Sequence, residues 1–515
     1  MEERRDRDSA GVMQASIGEH DLPVDAQLRA ERRVSSWWVV LGASAGLLIC
    51  TGGPSYYVAQ HLTHPAGGWQ SWMYIYPFAV VAVAGALGVG RRLARLPIRR
   101  WPWPFFAVGA YVALALLSVL WSVSPSITPT AAVIGIGIAS FGCWFGWCLR
   151  IDDQIWAVVI STAAASIASL LVVLVRPAFG KMYQDLGVVV VDPPWQGIFG
   201  NRNSLAPVCV LGLVGLVGFI VRRPSLRRLV LAAPLAAVHI VLLRQSEGLT
   251  SRLALILVAF TAVATPALRW VRRLRVPGAV VTGAVAAALV VAWFALFANL
   301  NRLSSKFGRD RTLDGRTPIW ADVRSFIRVH PLRGYGFWAF WDRQDLTAAS
   351  YARLGPYGSA HNSVLEVLLM LGFVGLIFYL VICGAAILGP LVWSWRRQSV
   401  AAWWWSLVVV FLVAENLTES FVLWHSYIWV LFIAAAFAPF GIAAQSDAEV
   451  ERDVSVQASS PDEDGTDATE PAPHAELDDV WENSAASIAE LLSAGDIDAA
   501  MTGPGVQALT SKDPR

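Results

Sequence analysis

Charged residues are scarce in this chain: Asp, Glu, Lys and Arg make up 15% of its 515 residues, whereas average soluble proteins contain about 25%. Hydrophobic residues make up 56%, and the mean hydropathy is +0.52. This balance excludes a soluble multidomain protein. Apolar runs recur along most of the sequence, and each is long enough to cross a hydrocarbon core about 30 Å thick. The sequence therefore predicts an all-α polytopic membrane protein.

Cysteine is also rare, and its positions exclude a disulfide scaffold. The five residues (Cys50, Cys143, Cys148, Cys209 and Cys383) all lie in or beside apolar runs. None falls in a predicted outward loop, where a disulfide would form. No histidine accompanies the closest pair at a spacing typical of zinc sites. We expect all five to be small core residues.

The apolar runs predict about twelve transmembrane helices. Lys and Arg occur only at the edges of these runs. The tenth run is too long for a simple crossing, and we expect it to tilt or to begin above the bilayer. The predicted spans are residues 36–53, 70–90, 104–121, 131–149, 155–175, 203–221, 229–243, 252–268, 279–300, 362–393, 400–414 and 421–442.

Arginine is unevenly distributed between the short loops, and this predicts the orientation. The loops on one side contain 16 Lys and Arg residues in total, and three loops on the other side contain none. Basic loops stay in the cytoplasm, so we expect a protein of the cytoplasmic membrane with both termini inside. The first span has no small-residue cleavage site and is expected to be a retained anchor. The basic loops are 91–100, 150–154, 222–228, 269–275 and 394–398.

The same pattern divides the chain into three parts. Residues 1–35 form a cytoplasmic N-terminal arm, and residues 36–445 form the transmembrane domain, including a large extracytoplasmic loop at 301–361. Residues 446–515 form a cytoplasmic tail with 17 Asp and Glu but only three Lys and Arg. The tail lacks the apolar content to fold alone and is predicted to be disordered.

One stretch of the tail has a helical pattern of apolar residues. Val480, Trp481, Ile488, Leu491 and Leu492 would line one face of a short helix. The pattern is compatible with a segment that binds a protein partner and with weakly helical disorder.

The large outward loop contains ten basic residues, against the usual distribution. On charge alone, it is either a tolerated soluble loop or an anion site. Within it, Thr317-Pro318 is typical of a helix start. The apolar residues from Ile319 to Ile327 then recur at helical spacing, with Arg324 and Arg328 beside them. This face suits a substrate with a lipid tail and a phosphate head, and it also fits an ordinary surface helix.

Two arginines and one histidine lie where anion or proton chemistry would need them. Arg316 precedes the predicted helix, where free N–H groups favour anions, and arginine binds phosphate bidentately. Arg252 lies at the outer end of a span, where it is either functional or snorkels to the interface. His361 lies where the loop re-enters the membrane. It could take a proton from a hydroxyl, although a lone histidine is more often structural.

A third group of polar residues precedes the sixth span. Asn201, Arg202 and Asn203 offer hydrogen-bond donors at a helix N-terminus, which suits sugar hydroxyls or phosphate. The alternative is simple capping by Asn203 or Ser204. In the tenth span, Glu366 is a carboxylate well inside the membrane and could bond Asn362, four residues earlier.

Several segments together resemble the O-antigen ligase and O-antigen polymerase family. They are FGNRNSLA (199–206), LTSRLAL (249–255), DGRTPIW with HPLRGYGFW (314–338) and SAHNSVLEVLLMLGFVGLIF (359–378). Their order and the large outward loop between Arg252 and His361 match as well. The resemblance covers about residues 195–440.

The resemblance implies a metal-independent inverting glycosyltransferase of the cell envelope. Its donor would be a glycan on undecaprenyl diphosphate, and its acceptor a hydroxyl of a glycan, lipid or protein outside the membrane. Arg252 and Arg316 would hold the diphosphate, His361 would be the catalytic base, and Asn201 and Asn203 would shape the donor pocket together with Arg202. No cofactor or nucleic acid is implied, and the protein would contact membrane lipid. Outside the resemblance, the acidic tail is a candidate for binding a protein partner.

Four points stay open from the sequence. The N-terminal arm and the acidic tail have no counterpart in the family, and ligase and polymerase need the same donor site. A transporter or flippase for a lipid-linked or anionic solute is also compatible with twelve spans, although paired inverted repeats are missing. A third possibility is a membrane scaffold whose tail recruits partners.

Overall fold

The computed structural model describes residues 24–62, 69–185, 188–189, 192–272, 316–342, 359–397, 399–416, 419–420 and 426–459. Over these residues the chain is a bundle of helices with one small hairpin, in which β1 (Gln184–Asp185) pairs antiparallel with β2 (Val188–Val189). The principal helices are α1 (Val24–Cys50), α2 (Gly53–Leu62), α3 (Trp69–Leu93), α4 (Pro104–Leu117), α5 (Thr128–Cys148), α6 (Ile151–Val175), α7 (Arg202–Arg222), α8 (Leu226–Ser246), α9 (Leu249–Arg272), α10 (Arg316–Val329), α11 (Ser363–Arg397), α12 (Val400–Asn416) and α13 (Tyr427–Ser459).

The described helices agree with a multi-pass membrane protein. Seven of them contain stretches long and apolar enough to cross a bilayer, and three shorter apolar helices accompany them. Eleven of the twelve predicted spans fall on described helices. The ninth, 279–300, lies outside the described residues, so the number twelve stays a prediction. The seven stretches are Pro104–Trp121, Thr128–Cys148, Ile151–Val175, Arg202–Arg222, Leu226–Ser246, Ser363–Ser394 and Tyr427–Ala444.

Helix α12 lies at the centre of the bundle and is buried along nearly its whole length. It packs against α7, α9, α11 and α13. Two of its tryptophans bond across to other helices: Trp404 Nε1 donates to the Val214 carbonyl at 3.0 Å, and Trp405 Nε1 donates to Gln154 Oε1 at 2.9 Å. Polar groups in hydrocarbon need internal partners, so these bonds fix the register of α12 against α6 and α7.

Small residues allow α5 and α13 to pack closely. A Cβ atom at Gly142 would lie 2.8 Å from the Val430 carbonyl oxygen, and one at Gly146 would overlap Ala434. Glycine at such positions lets helix backbones approach each other in membranes. Since the contacts advance together along both helices, α5 and α13 run parallel and leave the bundle at the same end.

Helix α11 is broken at Gly372, where φ is +63°. The preceding loop inserts at the break: Tyr335 N donates to the Leu369 carbonyl at 2.8 Å, and Phe373 N donates to the Pro331 carbonyl at 2.8 Å. A side chain at residue 372 would overlap the Leu332 backbone. The long tenth predicted span is therefore interrupted at Gly372. Its expected tilt, or its start above the bilayer, stays a prediction.

The cysteines are core residues, as predicted. All five are free, four are buried, and Cys148 is half-buried. His239, another polar residue of the spans, is also structural: its Nδ1 lies 2.9 Å from Ser166 Oγ between α8 and α6.

Candidate active site

Helix α10 is amphipathic, as its sequence predicts. Ile319, Val323 and Ile327 are buried, whereas Arg324 and Arg328 are exposed. The buried face packs on α11 and on the loop that follows α10, in one cluster with Tyr335 and Phe340. The apolar face therefore covers the protein. The sequence predicted Pro318 as the first residue of this helix. The helix instead begins at Arg316, so Pro318 is its third residue.

Helix α10 is bonded to the backbone beside His361. Trp320 Nε1 donates to the carbonyl of Ala360 at 2.9 Å. Arg316 begins the same helix one turn before Trp320. The structure therefore places the backbone of Arg316 close to the segment that carries His361.

Glu366 holds the backbone beside His361 in place. Its side chain is fully buried and accepts hydrogen bonds from Ala360 N at 2.7 Å, from Trp341 Nε1 and from Ser420 Oγ at 3.3 Å. These bonds differ from the expected one to Asn362, which instead caps α11 by accepting from Leu365 N at 3.1 Å. Glu366 thus joins three segments that are far apart in sequence.

His361 is held in an unusual backbone conformation and faces a carboxylate. Its φ is +45°, in the left-handed region that non-glycine residues rarely adopt. Its Nδ1 lies 2.8 Å from Glu419 Oε2, and the two side chains are 24% and 12% exposed. With Nδ1 donating to an ionised carboxylate, the neutral imidazole carries its lone pair on Nε2. Nε2 is then the atom able to accept a proton.

Glu419 is the functional residue that sequence reasoning missed. Its second oxygen, Oε1, accepts from Asn203 Nδ2 at 3.0 Å, so the carboxylate bridges the starts of α7 and α11. Its loop, 415–420, is one of the three short loops without Lys or Arg, and the sequence indicated no other role for it. The available signal was Glu415 and Glu419 together in ENLTES, between two apolar runs and on the side predicted for His361.

Asn201 caps helix α7, whereas the Asn203 side chain bonds Glu419. Asn201 is the N-cap of α7, and its Oδ1 accepts from Asn203 N at 2.8 Å. Capping by Asn203 or Ser204, the alternative from the sequence, is therefore wrong. Because Asn201 caps the helix, the Asn203 amide is directed to Glu419. Arg202 is the first residue of α7 and is half-buried.

Arg252 lies in the second turn of α9, next to the start of α7. It is half-buried, and its Nη2 donates to the Arg244 carbonyl at 2.5 Å. Gly248, the residue before α9, packs so closely on Ala206 that a side chain at position 248 would overlap the Ala206 side chain. Since Ala206 is one turn from Asn203, the first turns of α7 and α9 lie side by side.

The structure brings two of the predicted site residues together directly, and it links only the helices of two others to them. His361 and Asn203 meet directly through Glu419. Arg252 and Arg316 are connected to this pair through the packing of their helices. In the part of the chain that the structure describes, no group of three or more His, Cys, Asp or Glu side chains is arranged to hold a metal ion. The arrangement provides a base with an orienting carboxylate, beside arginine-bearing helix starts.

Comparison with known proteins agrees with the resemblance drawn from the sequence. Residues 248–380 match the family model described as O-Antigen ligase. This stretch contains Arg252, Arg316 and His361, and Asn203 and Glu419 lie outside it. The chain is also 25% identical over 295 residues to the exopolysaccharide production protein ExoQ of Rhizobium meliloti (strain 1021). That alignment spans 55% of this chain and 64% of the relative. These matches confirm the predicted resemblance.

Proposed function

We propose, from the O-antigen ligase family segment at residues 248–380, that this protein is a membrane glycan ligase or polymerase of polysaccharide assembly. It would transfer a glycan from an undecaprenyl-diphosphate carrier to an acceptor hydroxyl on the extracytoplasmic face. The observation that carries the proposal is the contact between His361 Nδ1 and Glu419 Oε2 at 2.8 Å. The other oxygen of Glu419 accepts a hydrogen bond from Asn203. This is the arrangement of a general base held by a carboxylate.

The proposed reaction is a single displacement at the anomeric carbon. The acceptor oxygen forms the new glycosidic bond and gives its proton to His361 Nε2. The bond between the anomeric carbon and the diphosphate oxygen breaks, and its electron pair leaves with the diphosphate. Attack opposite the leaving group inverts the configuration. Glu419 would orient the imidazole and stabilise the imidazolium that forms, which is the role of the carboxylate in comparable triads.

Arg252 and Arg316 would neutralise the charge that develops on the leaving diphosphate. Guanidinium groups remain charged and bind phosphate oxygens bidentately, and fixed charges at such a position stabilise the transition state. The contact between Trp320 and Ala360 and the packing of Gly248 on Ala206 support their placement near the base. Asn201, Arg202 and Asn203 would line the donor pocket. Since this scheme gives the neutralising charge to arginine, we expect transfer to persist in excess EDTA.

The direction of transfer follows from the two ends of α7. Asn203, beside the base, lies at one end, and Arg222 lies 19 residues later at the other, about 28 Å away at 1.5 Å per residue. The turn at Arg150 lies at the Arg222 end, where Asp152 accepts from Arg222 Nε at 2.8 Å. Basic turns favour the cytoplasm, which supports an outer-face position for the His361 end and a cytoplasmic position for both termini.

The experiment that tests the proposal is analysis of glycans and lipid carrier in a deletion strain. Complementation with the wild-type gene should restore transfer, and the His361→Ala gene should not, at equal amounts of membrane-inserted protein. Long chains that accumulate on the carrier would indicate a ligase, and single repeat units a polymerase. Substrate movement across vesicles without a new glycosidic bond would instead support a transporter.

A further inference from the structure

A groove with an excess of basic residues lies at the end of the bundle opposite His361. It has a cavity volume of about 190 Å³ and lies between α1, α6, α7 and the start of α8. Four arginines line it, Arg150, Arg222, Arg223 and Arg228, together with the aromatic rings of Trp37 and Trp156. We refer to this site as the basic groove.

The arginines of the basic groove outnumber its carboxylates. Asp152 accepts from Arg222 Nε at 2.8 Å and from Arg223 Nη2 at 3.2 Å. Arg150 Nε lies 3.0 Å from Asp153, and this hydrogen bond raises the pKa of the guanidinium. With two Asp against four Arg along its lining, the groove has a net charge of +2. Each guanidinium offers five N–H donors, so an acidic ligand would find partners here.

Arg228 adds an aromatic side to this charged surface. Its guanidinium lies 4.5 Å from the centre of the Phe219 ring, and its Nη1 donates to the Phe219 carbonyl at 2.7 Å. Trp156 packs against the same ring, with centroids 4.8 Å apart. The groove therefore suits a ligand that combines carboxylates with an aromatic or aliphatic side chain.

The last described helix leaves the bundle beside the basic groove. A Cβ atom at Gly441 would lie 2.5 Å from the Gly146 carbonyl oxygen and 3.3 Å from that of Trp147. Trp147 precedes Arg150 by three residues. Helix α13 thus leaves the bundle on the same side as the groove, whichever side of the membrane this is.

A later segment of the chain has the matching composition. Residues 476–492 contain five acidic residues and no Lys or Arg. The same stretch contains the apolar residues Trp481, Ile488 and Leu491. Helix α13 continues 18 residues beyond Gly441, about 27 Å at 1.5 Å per residue. The 17 residues from Ser459 to Glu476 can span up to about 56 Å when extended. The segment can therefore return to the groove.

We infer that the acidic segment 476–492 docks in the basic groove of its own chain. Its carboxylates pair with the groove arginines, and Trp481 packs against the aromatic wall formed by Trp37 and Trp156. The pairing is partly exposed to solvent, so it weakens as salt increases. This contact lies about one membrane thickness from His361 and does not depend on the proposed transfer reaction.

A photo-crosslinking experiment on the full-length protein in membrane vesicles tests this contact. Trp481 is replaced by p-benzoylphenylalanine, and crosslinked peptides are identified by mass spectrometry. We expect crosslinks to residues 150–156 or 219–228, with a yield that falls about threefold or more between 50 and 500 mM NaCl as screening increases. The same probe at Val506, in a stretch without acidic residues, should not reach the groove.

A charge exchange separates specific pairing from general attraction. Arg223→Glu should lower the crosslink yield, and adding Asp479→Arg should restore it. Asp152 keeps its bond to Arg222 in this variant, so the turn remains supported. Arg99→Glu, at an exposed arginine of another basic loop, is the matched control and should leave the yield unchanged.

Three results would overturn the inference. The first is the absence of crosslinks to the groove at low salt. The second is crosslinking only between differently tagged copies, which would mean docking between chains. The third is equal labelling of the groove by a photoactivatable phosphatidylglycerol in the full-length chain and in a chain lacking 460–515, which would identify lipid as the occupant.

Discussion

At the scale of single residues, the pairing with Glu419 distinguishes His361 from a packed histidine and supports its proposed role as the base. His239, which bonds Ser166 within the bundle, shows the structural alternative in the same protein. His361 has a carboxylate partner, partial exposure and a left-handed backbone that keeps it at the end of a helix. Strained backbone of this kind persists where surrounding contacts enforce it, and the bonds of Ala360 and Asn362 provide them.

Glu419→Gln tests the orienting role. Glutamine has the same size but cannot stabilise the imidazolium, so we expect turnover to fall by about 10²-fold or more, with donor binding largely kept. Steady-state kinetics on reconstituted protein would separate kcat from KM. Asn203→Ala, which removes only the other partner of the carboxylate, should have a smaller effect. Wild-type kcat in Glu419→Gln would exclude this role.

Arg316→Lys tests the hydrogen-bonding geometry at the proposed diphosphate site. Lysine keeps the charge but loses the planar fork, and the loss of a charge-assisted bond worth about 1.5–3 kcal/mol predicts a decrease in transfer of roughly 10- to 100-fold. Arg324→Lys, at an exposed position of the same helix, is the control and should transfer normally. An equally active Arg316→Lys protein would argue against diphosphate binding by this residue.

At the scale of elements, the break in α11 attaches the loop after α10 to the helix that follows His361. The loop 331–336 bonds to both sides of Gly372, two to three turns after the start of α11 at Ser363. Broken helices in membranes provide helix ends near binding sites. The break thus allows the loop after α10 to bond to the backbone of α11.

Gly372→Ala tests the importance of this break. Its φ of +63° and the overlap of a Cβ atom with Leu332 predict a loss of about 1–3 kcal/mol of stability. Thermal unfolding in detergent should show a lower Tm. In the same helix, Gly384→Ala is the matched control, because a Cβ atom there has no neighbour within 4 Å. Equal Tm values for the two variants would mean that the break accepts a side chain at residue 372 without loss of stability.

The sequence predicted those elements that depend on local patterns. Periodicity identified α10, and hydrophobicity identified the spans, because both depend on residues within a few turns. The break at Gly372 depends on contacts with residues 331–336, and the Glu419 bond joins residues 58 apart. Such contacts leave no periodic signal. The prediction of the N-cap was wrong for a similar reason. Asn201 and Asn203 are both residues that can cap a helix, and the distant Glu419 accepts from Asn203, which leaves Asn201 as the cap.

At the scale of the whole molecule, the two ends of the bundle have different chemistry. One end has the His361–Glu419 pair, and the other has the basic groove. The charge distribution in the sequence predicted this division, and the structure shows that α7 connects the two ends.

Deleting residues 460–515 tests whether the tail is needed for the proposed activity. Since the site residues all lie before it, we expect the truncated protein to transfer glycan at a rate within a few-fold of wild type. Protein amounts in the membrane, measured by an N-terminal tag, provide the control. Complete loss of transfer at a normal protein level would support the scaffold hypothesis instead.

The most direct measurement uses purified full-length protein in vesicles with a polyprenyl-diphosphate-linked glycan and an acceptor. Both products are followed, the new glycosidic bond and the released polyprenyl diphosphate. We expect wild-type protein to form them in equal amounts, and His361→Ala to lower both by about 10²-fold or more while it still binds the donor. Unchanged turnover in His361→Ala would contradict the assignment of His361 as the base.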